Sequence, residues 1–275
     1  MFKVRLDRPL SGTQLALLHA LDEVAKQLAI PYFVVGASAR DILLEHVHGI
    51  ETIRATSDID FAVAIASWDD YERLTSSLTT TGQFFRGANP HQLKFGAEEG
   101  PYSLDLVPFD GIEQDGEIAW PPNGDFVMNV RGYADALYSA LDIEIEPGFQ
   151  IKVVSLPAMV ILKVLAWNDR PERDNHPSDV LFVLRNYHQA GQFDRLYDEA
   201  FEQLEKYGYE IELAGAALLG QDARRDIAQE ARTQVTHVLA NERAFDKFCS
   251  QARRTSLDEV DDAKRLLRAF LDNIV

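Results

Sequence analysis

The spacing of apolar residues changes near the middle of the chain. In the first half, short runs of β-branched and aromatic residues alternate with amphipathic stretches, which predicts strands alternating with helices. From Ser155 onward, nearly every segment carries apolar residues at helical spacing. The pattern therefore predicts an α+β fold, with a mixed sheet and flanking helices over residues 1–154 and a helical domain over residues 155–275.

The N-terminal part contains local start signals for its first elements. Ser11 is followed three residues later by Gln14, a capping-box pattern that opens an amphipathic helix. The run PYFVV at residues 31–35 predicts a buried strand, and Gly36-Ala37-Ser38 leads from it into a second helix. The chain thus begins with a helix, a strand, a tight turn and a helix.

Five further strands and one helix are predicted before residue 155. DIDFAVAI, QLKFG at residues 92–96 and YSLDLVPF at residues 102–109 predict strands, and Ser67 caps a helix after the first of them. DIEIEP and FQIKVVS predict a hairpin around Pro147-Gly148.

The helical half contains one long amphipathic run, FDRLYDEAFEQLEKYG, which predicts a single helix. Four aromatic residues in and before it fit helical core positions better than base-stacking positions. They are Phe182, Tyr187, Tyr197 and Phe201.

Composition limits the classes of protein to which the chain can belong. Apolar residues make up 46% and charged residues 26%, which is ordinary for a globular protein. No apolar run approaches the ~20 residues that cross a bilayer, and the N-terminus lacks the pattern of a secretory signal. The single cysteine, Cys249, cannot form an intrachain disulfide. We therefore expect a cytoplasmic protein without a membrane segment.

The net charge of −17 argues against a protein that coats nucleic acid nonspecifically, because phosphate contacts need clustered Lys and Arg. A local basic groove remains open as an alternative to solvated helix faces. Its candidate members all lie in the second half: Arg170, Arg173, Arg185, Arg224, Arg225, Arg232, Arg253 and Arg254.

Two acids, Asp58 and Asp60, open the strand DIDFAVAI. With 44 acidic residues in the chain, an acid-x-acid pair arises by chance roughly seven times, so the motif alone has little weight. On a strand, however, the two carboxylates point to one face and repel each other unless solvent screens them or a cation lies between them. Mg²⁺ suits such a pair, and Asp105 could complete a two-metal site if its strand lies alongside.

The turn at Gly36 and Ser38 is the second candidate feature. Backbone N–H groups and the Ser38 hydroxyl at a helix start can meet a phosphate, and glycine lets the backbone approach closely. The ordinary alternative is a tight turn with a helix cap.

These residues together resemble a known superfamily. VVGASARDILL followed by TSDIDFAV is similar to the nucleotidyltransferases that include DNA polymerase β, CCA-adding enzymes and small bacterial nucleotidyltransferases. Arg40-Asp41 and the following Ile-Leu-Leu look like the CCA-adding branch, whereas Ala37 replaces a glycine found in many relatives. The resemblance implies a nucleotidyltransferase-type sheet.

The second half sharpens the resemblance. SLPAMVILKVLAWNDRPERDNHPSDVLFVL and LLGQDARRDIA are similar to AbiEii-type nucleotidyltransferases, a group that includes toxins of toxin–antitoxin systems. By that resemblance Lys163 contacts the nucleoside triphosphate and Asp179 supports the site. From the residues alone, Lys163 is also a lysine that lays its stem on apolar surface, and Asp179 a favourable first-turn acid.

The expected reaction is transfer of a nucleoside monophosphate from an NTP to a hydroxyl acceptor, with release of pyrophosphate and dependence on Mg²⁺ or Mn²⁺. Asp58, Asp60 and Asp105 hold the metals, and Gly36, Ser38, Lys163 and Asp179 bind the nucleotide. RNA such as the tRNA 3′ end, a protein hydroxyl and a small molecule remain alternative acceptors. An antitoxin protein is an implied partner, and a noncatalytic binding or regulatory protein is the rival interpretation.

Overall fold

The computed structural model describes residues 2–52, 58–96, 102–173, 175–252 and 260–275. The chain divides into two compact units, Met1–Val154 and Ser155–Val275. None of the described helices combines the length and the apolar character that a membrane crossing requires.

The first unit is built around one mixed sheet. Its strands are β1 (Phe2–Lys3), β2 (Tyr32–Val35), β3 (Asp58–Ile65), β4 (Phe84–Arg86), β5 (Gln92–Phe95), β6 (Tyr102–Asp110), β7 (Glu117–Ala119), β8 (Val127–Asn129), β9 (Leu141–Glu146) and β10 (Phe149–Val153). Eight of them form the sheet, in the order β1-β9-β10-β2-β3-β6-β5-β4, and β7 and β8 pair separately. β3 runs parallel to β6 and antiparallel to β2.

Among the described residues of this unit, four α-helices accompany the sheet: α1 (Gly12–Gln27), α2 (Gly36–Asp41), α3 (Trp68–Thr80) and α4 (Tyr133–Tyr138). The capping box predicted at the start of α1 is confirmed, because the side chains of Ser11 and Gln14 each accept the other's backbone N–H. Ser67 caps α3 as predicted. A π-helical segment, Ile42–Val47, continues α2.

The core of the first unit follows from strand alternation. On β3, Ile59 and Phe61 are buried on the face that carries Tyr32 of β2, whose ring contacts that of Phe61. On the opposite face, Phe33 and Phe109 pack edge to face against each other at 5.9 Å between ring centroids. The mixed sheet with flanking helices confirms the predicted α+β class.

The second unit is helical throughout its described part. Its helices are α5 (Leu156–Asp169), α6 (Asn175–Asn186), α7 (Phe193–Asp198), α8 (Phe201–Lys206), α9 (Ile211–Asp226), α10 (Gln229–Ala240), α11 (Glu242–Ala252) and α12 (Val260–Ile274). α9 is buried along most of its length and packs closely on α12, because a Cβ on Gly220 would lie 2.5 Å from the Phe270 carbonyl oxygen. Cys249 is buried in this unit as a free thiol.

Two expectations for the second half are wrong. The run predicted as one helix breaks at Glu199 and Ala200 into α7 and α8, so its apolar residues no longer share one continuous face. Tyr187 is buried as predicted, but Tyr197 and Phe201 are exposed. Each instead pairs with a neighbouring ring at the surface, Tyr197 with Phe193 and Phe201 with Tyr209.

Candidate functional site

The three candidate carboxylates of the first unit lie on two adjacent strands. β3 and β6 pair in parallel register, with Asp60 beside Asp105 and Asp58 beside Ser103. Because residues in register share a face and side chains alternate along a strand, Asp58, Asp60 and Asp105 all project from the same side of the sheet. Asp58 is exposed, and Asp60 and Asp105 are half-buried. The strand of Asp105 thus lies beside the strand of Asp58, which is the condition under which Asp105 could join the acid pair.

Gly36 fits closely against this group of acids. Its φ of +70° belongs to the left-handed region that side chains other than glycine rarely adopt. A Cβ at this position would lie 1.9 Å from Oδ2 of Asp60, so only the absence of a side chain lets the turn approach the carboxylate. The junction of β2 and α2 is therefore shaped around Asp60.

Ser38 secures the same junction by a hydrogen bond. Its side chain is buried and donates to the backbone carbonyl of Asp58, which ties α2 to the start of β3. Next along the helix, buried Arg40 donates from Nε to Oδ1 of Asp41 at 2.8 Å. The Ser38 bond holds the strand that carries the acid pair, whereas the Arg40–Asp41 contact lies within α2. The expected contacts of Gly36 and Ser38 with phosphate stay predictions.

His91 is a neighbour of the acids that the sequence did not reveal. Its Nε2 lies 3.7 Å from Oδ2 of Asp105. The imidazole packs against both Trp120 and Phe126, with ring centroids 5.8 and 5.7 Å away. These two aromatic residues lie at the two ends of the loop that joins β7 to β8, so the hairpin packs against the imidazole that faces Asp105. The only signal in the sequence is that His91 directly precedes a predicted strand.

The carboxylate oxygens of these acids suit a hard divalent cation, although the side chains of the described residues are not already arranged as a complete set of metal ligands. Carboxylate oxygens are the ligands that Mg²⁺ prefers, and one or two protein carboxylates are usual for it. Asp60 and Asp105, side by side in register, supply such a pair. Within the described ranges, no group of three Asp, Glu, His or Cys side chains is arranged to hold a metal ion. A two-metal site that includes Asp58 stays a prediction.

Lys163 and Asp179 lie in the second unit and contact each other. The Lys163 ammonium donates to Oδ2 of Asp179 at 2.5 Å, and the two side chains are only 8% and 3% exposed. α5 supplies the lysine and α6 the acid, so the ion pair joins two helices. The predicted contact of Lys163 with a nucleotide stays a prediction.

His176 lies beside this ion pair near the start of α6. Burial, followed by the positive charge of Lys163, lowers the pKa of His176 to about 3, and Asp179 opposes this shift only in part. Arg173 and Arg170 act in the same direction as Lys163. The imidazole is therefore neutral at physiological pH, and the residue was not singled out by the sequence.

Asp222, in the segment LLGQDARRDIA, is the centre of a buried polar network. Its carboxylate accepts hydrogen bonds from the Tyr187 hydroxyl and from the guanidinium groups of Arg195 and Arg225. Burial opposes its ionisation, but the bonds from Arg195 and Tyr187 outweigh burial and hold the pKa of Asp222 below its usual value. This part of the family-like segment therefore joins α7 and α9.

The arginines proposed for a basic groove have varied surroundings. Arg225 is bound to Asp222 and Asp226, and Nε of Arg185 lies 3.4 Å from Oε2 of Glu212. Arg232 donates to two backbone carbonyl oxygens, those of Ile227 and Ile274. These three cations are thus engaged within the second unit. Arg253 and Arg254 lie outside the described residues.

Comparison with known families gives a match over most of the chain. The model of the nucleotidyl transferase AbiEii toxin family, type IV toxin–antitoxin system, matches residues 42–263. This range contains Asp58, Asp60, Asp105, Lys163 and Asp179, and it begins after Gly36 and Ser38. A search of curated proteins found no match.

Several solved structures are similar to the chain at low sequence identity. The solution structure of the antibiotic-resistance factor ANT(2'')-Ia has 16% identity and a TM-score of 0.41, and the match covers 73% of this chain and 99% of that one. For an antigenic nucleotidyltransferase-like protein from Paracoccidioides brasiliensis, the identity is 14%, the TM-score 0.44 and the coverage 72% and 93%. For a CCA-adding enzyme in complex with ATP, these values are 15%, 0.29, 94% and 67%.

Proposed function

The chain belongs to the AbiEii nucleotidyltransferase toxin family, and from this premise we propose that it transfers a nucleoside monophosphate from an NTP to a hydroxyl acceptor and releases pyrophosphate. One observation carries the proposal. Asp60 and Asp105 stand in register on adjacent parallel strands, with the backbone of Gly36 directly against the Asp60 carboxylate. Acids on one sheet face beside a strand-to-helix turn can serve a reaction at phosphorus.

The residues of the first unit would divide the work between binding and orientation. Asp58, Asp60 and Asp105 would hold Mg²⁺ or Mn²⁺, which when bound neutralises charge on phosphoryl oxygens. The backbone at Gly36 approaches the Asp60 carboxylate without a side chain, so a triphosphate can be bound there at short range. Ser38 fixes that turn through the hydrogen bond it donates to the backbone carbonyl of Asp58, and its hydroxyl would have to turn from that carbonyl to donate to a phosphate oxygen. Catalysis would rest on positioning rather than on a covalent intermediate.

Lys163 would balance the negative charge of the triphosphate. This role rests on the family resemblance of the segment around Lys163, whose ammonium is buried in the second unit and held by one carboxylate oxygen of Asp179. Asp179 would therefore act as a positioning residue for Lys163.

RNA, and the tRNA 3′ end in particular, is the acceptor we would test first, with the protein acting as the toxin of a toxin–antitoxin pair and an antitoxin as its partner. The family description supports the toxin role. A protein hydroxyl or a small molecule could accept the same group by the same chemistry, so both belong in the test.

The test is incubation of the purified protein with each α-labelled NTP and Mg²⁺, with total tRNA or without an added acceptor. Asp60→Asn and Asp105→Asn should abolish transfer, whereas Asp142→Asn, an exposed acid on β9, should leave it unchanged. Chelation of divalent ions should stop the reaction, and Mn²⁺ should restore it.

Each result has a defined meaning. Label on tRNA that is lost in Asp60→Asn supports RNA nucleotidyl transfer and identifies the nucleotide. Label on the protein itself points to protein acceptors. Transfer that survives in both Asp60→Asn and Asp105→Asn would contradict the assigned site, and no transfer with any acceptor would favour a noncatalytic binding role.

A further inference from the structure

A row of side chains extends across the sheet from the acid pair to the edge strand. Asp58 pairs in register with Ser103, Ser103 with Lys94, and Lys94 with Phe85. Because residues in register on neighbouring strands share a face, all four lie on the face that carries the acids. Three strand spacings separate the ends of the row, which is roughly 14 Å.

The outer members of the row are accessible to a ligand. Phe85 is 51% exposed, Lys94 is exposed and Ser103 is half-buried. The local core does not depend on Phe85, because Phe84 and Phe95 are buried together on the opposite face with ring centroids 4.9 Å apart. An exposed aromatic ring beside a lysine, on the acid-bearing face of the sheet, is therefore left without a structural explanation.

The order of strands assigns this row to one side of the acids. The turn at Gly36 follows β2, which borders β3 on one side, whereas β6, β5 and β4 succeed one another on the other side. If phosphates of the NTP bind at the Gly36 turn, as proposed above, the acceptor approaches the acids from β6 and beyond. The row thus lies where an acceptor would rest.

We propose that Phe85, Lys94 and Ser103 form a platform for a single-stranded RNA acceptor, an inference that rests on the proposed nucleotidyl transfer. A base close to the RNA end stacks on Phe85, Lys94 contacts a backbone phosphate, and the Ser103 hydroxyl contacts a ribose or phosphate oxygen. Stacking of bases on aromatic side chains is the common device of single-strand recognition and tolerates any sequence.

Neutral polar groups flank the platform and favour the same ligand. Gln92 lies in register with Asp105, and its Nε2 donates to the Ser103 hydroxyl at 3.2 Å. The surface therefore passes from an aromatic ring through an ammonium to uncharged hydrogen-bonding groups before it reaches the acids. The order of these groups along the surface matches the order of base, phosphate and sugar in a nucleotide strand.

The experiment measures binding of a short, fluorescently labelled single-stranded RNA of mixed sequence by anisotropy, without NTP. Phe85→Ala should raise Kd by about 5- to 140-fold, which is the range for loss of one stacked base, and Phe85→Trp should restore binding. Lys94→Gln should weaken binding and reduce the dependence on salt. The matched controls, Tyr138→Ala on α4 and Lys152→Gln on β10, remove an exposed ring and an exposed lysine elsewhere in the unit and should have no effect.

A parallel titration with a fluorescent ATP analogue shows whether Phe85 contacts the NTP rather than the RNA. The proposal is overturned if the wild-type protein does not bind the RNA, if Phe85→Ala binds it as well as wild type, or if Phe85→Ala weakens only ATP binding. Thermal unfolding of each variant checks that the fold is retained. Binding is measured without catalysis, so the two proposals can fail separately. If the protein binds RNA through Phe85 but shows no transfer activity, the proposed reaction is refuted and the proposed RNA platform stands.

Discussion

Gly36 has a left-handed backbone conformation, and it also leaves no room for a side chain beside the Asp60 carboxylate. We expect Gly36→Ala to lower kcat of nucleotidyl transfer by at least about 100-fold, because the new methyl group displaces the Asp60 carboxylate and small misplacements have effects of that size. Stability should fall by about 1–2 kcal/mol from the left-handed backbone alone. Transfer assays and urea unfolding measure the two effects separately.

Gly82 provides the matched control for that substitution. It has a φ of +74°, close to that of Gly36, but a Cβ built there meets no atom within 4 Å. Gly82→Ala should therefore show the loss of stability without the loss of activity. If both variants were equally inactive, backbone strain rather than contact with Asp60 would explain the effect at Gly36.

His176 gives the second prediction at this scale, which concerns pH. Its pKa of about 3 in the folded protein lies below the ordinary value of 6.5, so the unfolded chain binds more protons between these two values. The contribution of His176 to the free energy of unfolding is complete above pH 6.5 and is lost as the pH falls toward 3. The loss should approach about 1.4 kcal/mol per pH unit at most.

Urea unfolding of wild type and His176→Phe between about pH 7 and about pH 5 tests this dependence. The variant should lose less stability than wild type over this interval. His48 and His188, whose pKa values burial also lowers, are the same in both proteins and cancel in the comparison. Parallel curves would show that His176 does not titrate differently in the folded and unfolded states.

At the scale of elements, the Lys163–Asp179 ion pair links α5 to α6 in the interior of the second unit. Lys163→Met or Asp179→Leu alone should lower the free energy of unfolding by about 3–5 kcal/mol, because each leaves an uncompensated buried charge. The double variant should be more stable than either single variant, since both charges are then absent. Urea unfolding of the four proteins gives the coupling energy.

An exposed ion pair in the first unit serves as the reference for this cycle. Lys152 and Asp142 pair at 3.0 Å on β10 and β9, with side chains 44% and 62% exposed. Their removal should change stability by less than about 1 kcal/mol, because solvent screens the pair. Equal effects at the two sites would mean that burial does not govern the strength of the Lys163–Asp179 interaction.

The elements that the sequence predicted are those with a local signal. Alternation and capping residues gave β3, β6 and the start of α3, and the Asp60–Asp105 neighbourhood followed once the two strands proved adjacent. β4 and the β7–β8 hairpin are three residues per strand, too short for periodicity to register. The position of His91 against Asp105 depends on that hairpin, so no local pattern could predict it.

At the scale of the whole molecule, the net charge of −17 sets the conditions under which a polyanion can bind. The protein repels RNA over distances of the Debye length, which is about 10 Å at 0.1 M salt. The proposed platform offsets this repulsion with a single lysine and a stacking ring, and three of the candidate arginines are engaged in their own unit. Affinity should therefore depend on stacking more than on counterion release.

This balance gives a prediction for the salt dependence of the RNA acceptor. One phosphate contact to a single strand gives a slope of about −0.7 in log affinity against log salt, which is about threefold between ~50 and ~200 mM. Screening of the overall repulsion acts in the opposite direction, so KM for RNA should change by less than about tenfold across that range. A decline of 10³-fold or more would require roughly seven or more phosphate contacts. That result would place the main RNA contacts on a basic surface beyond Lys94 and contradict a stacking platform as the chief determinant of binding.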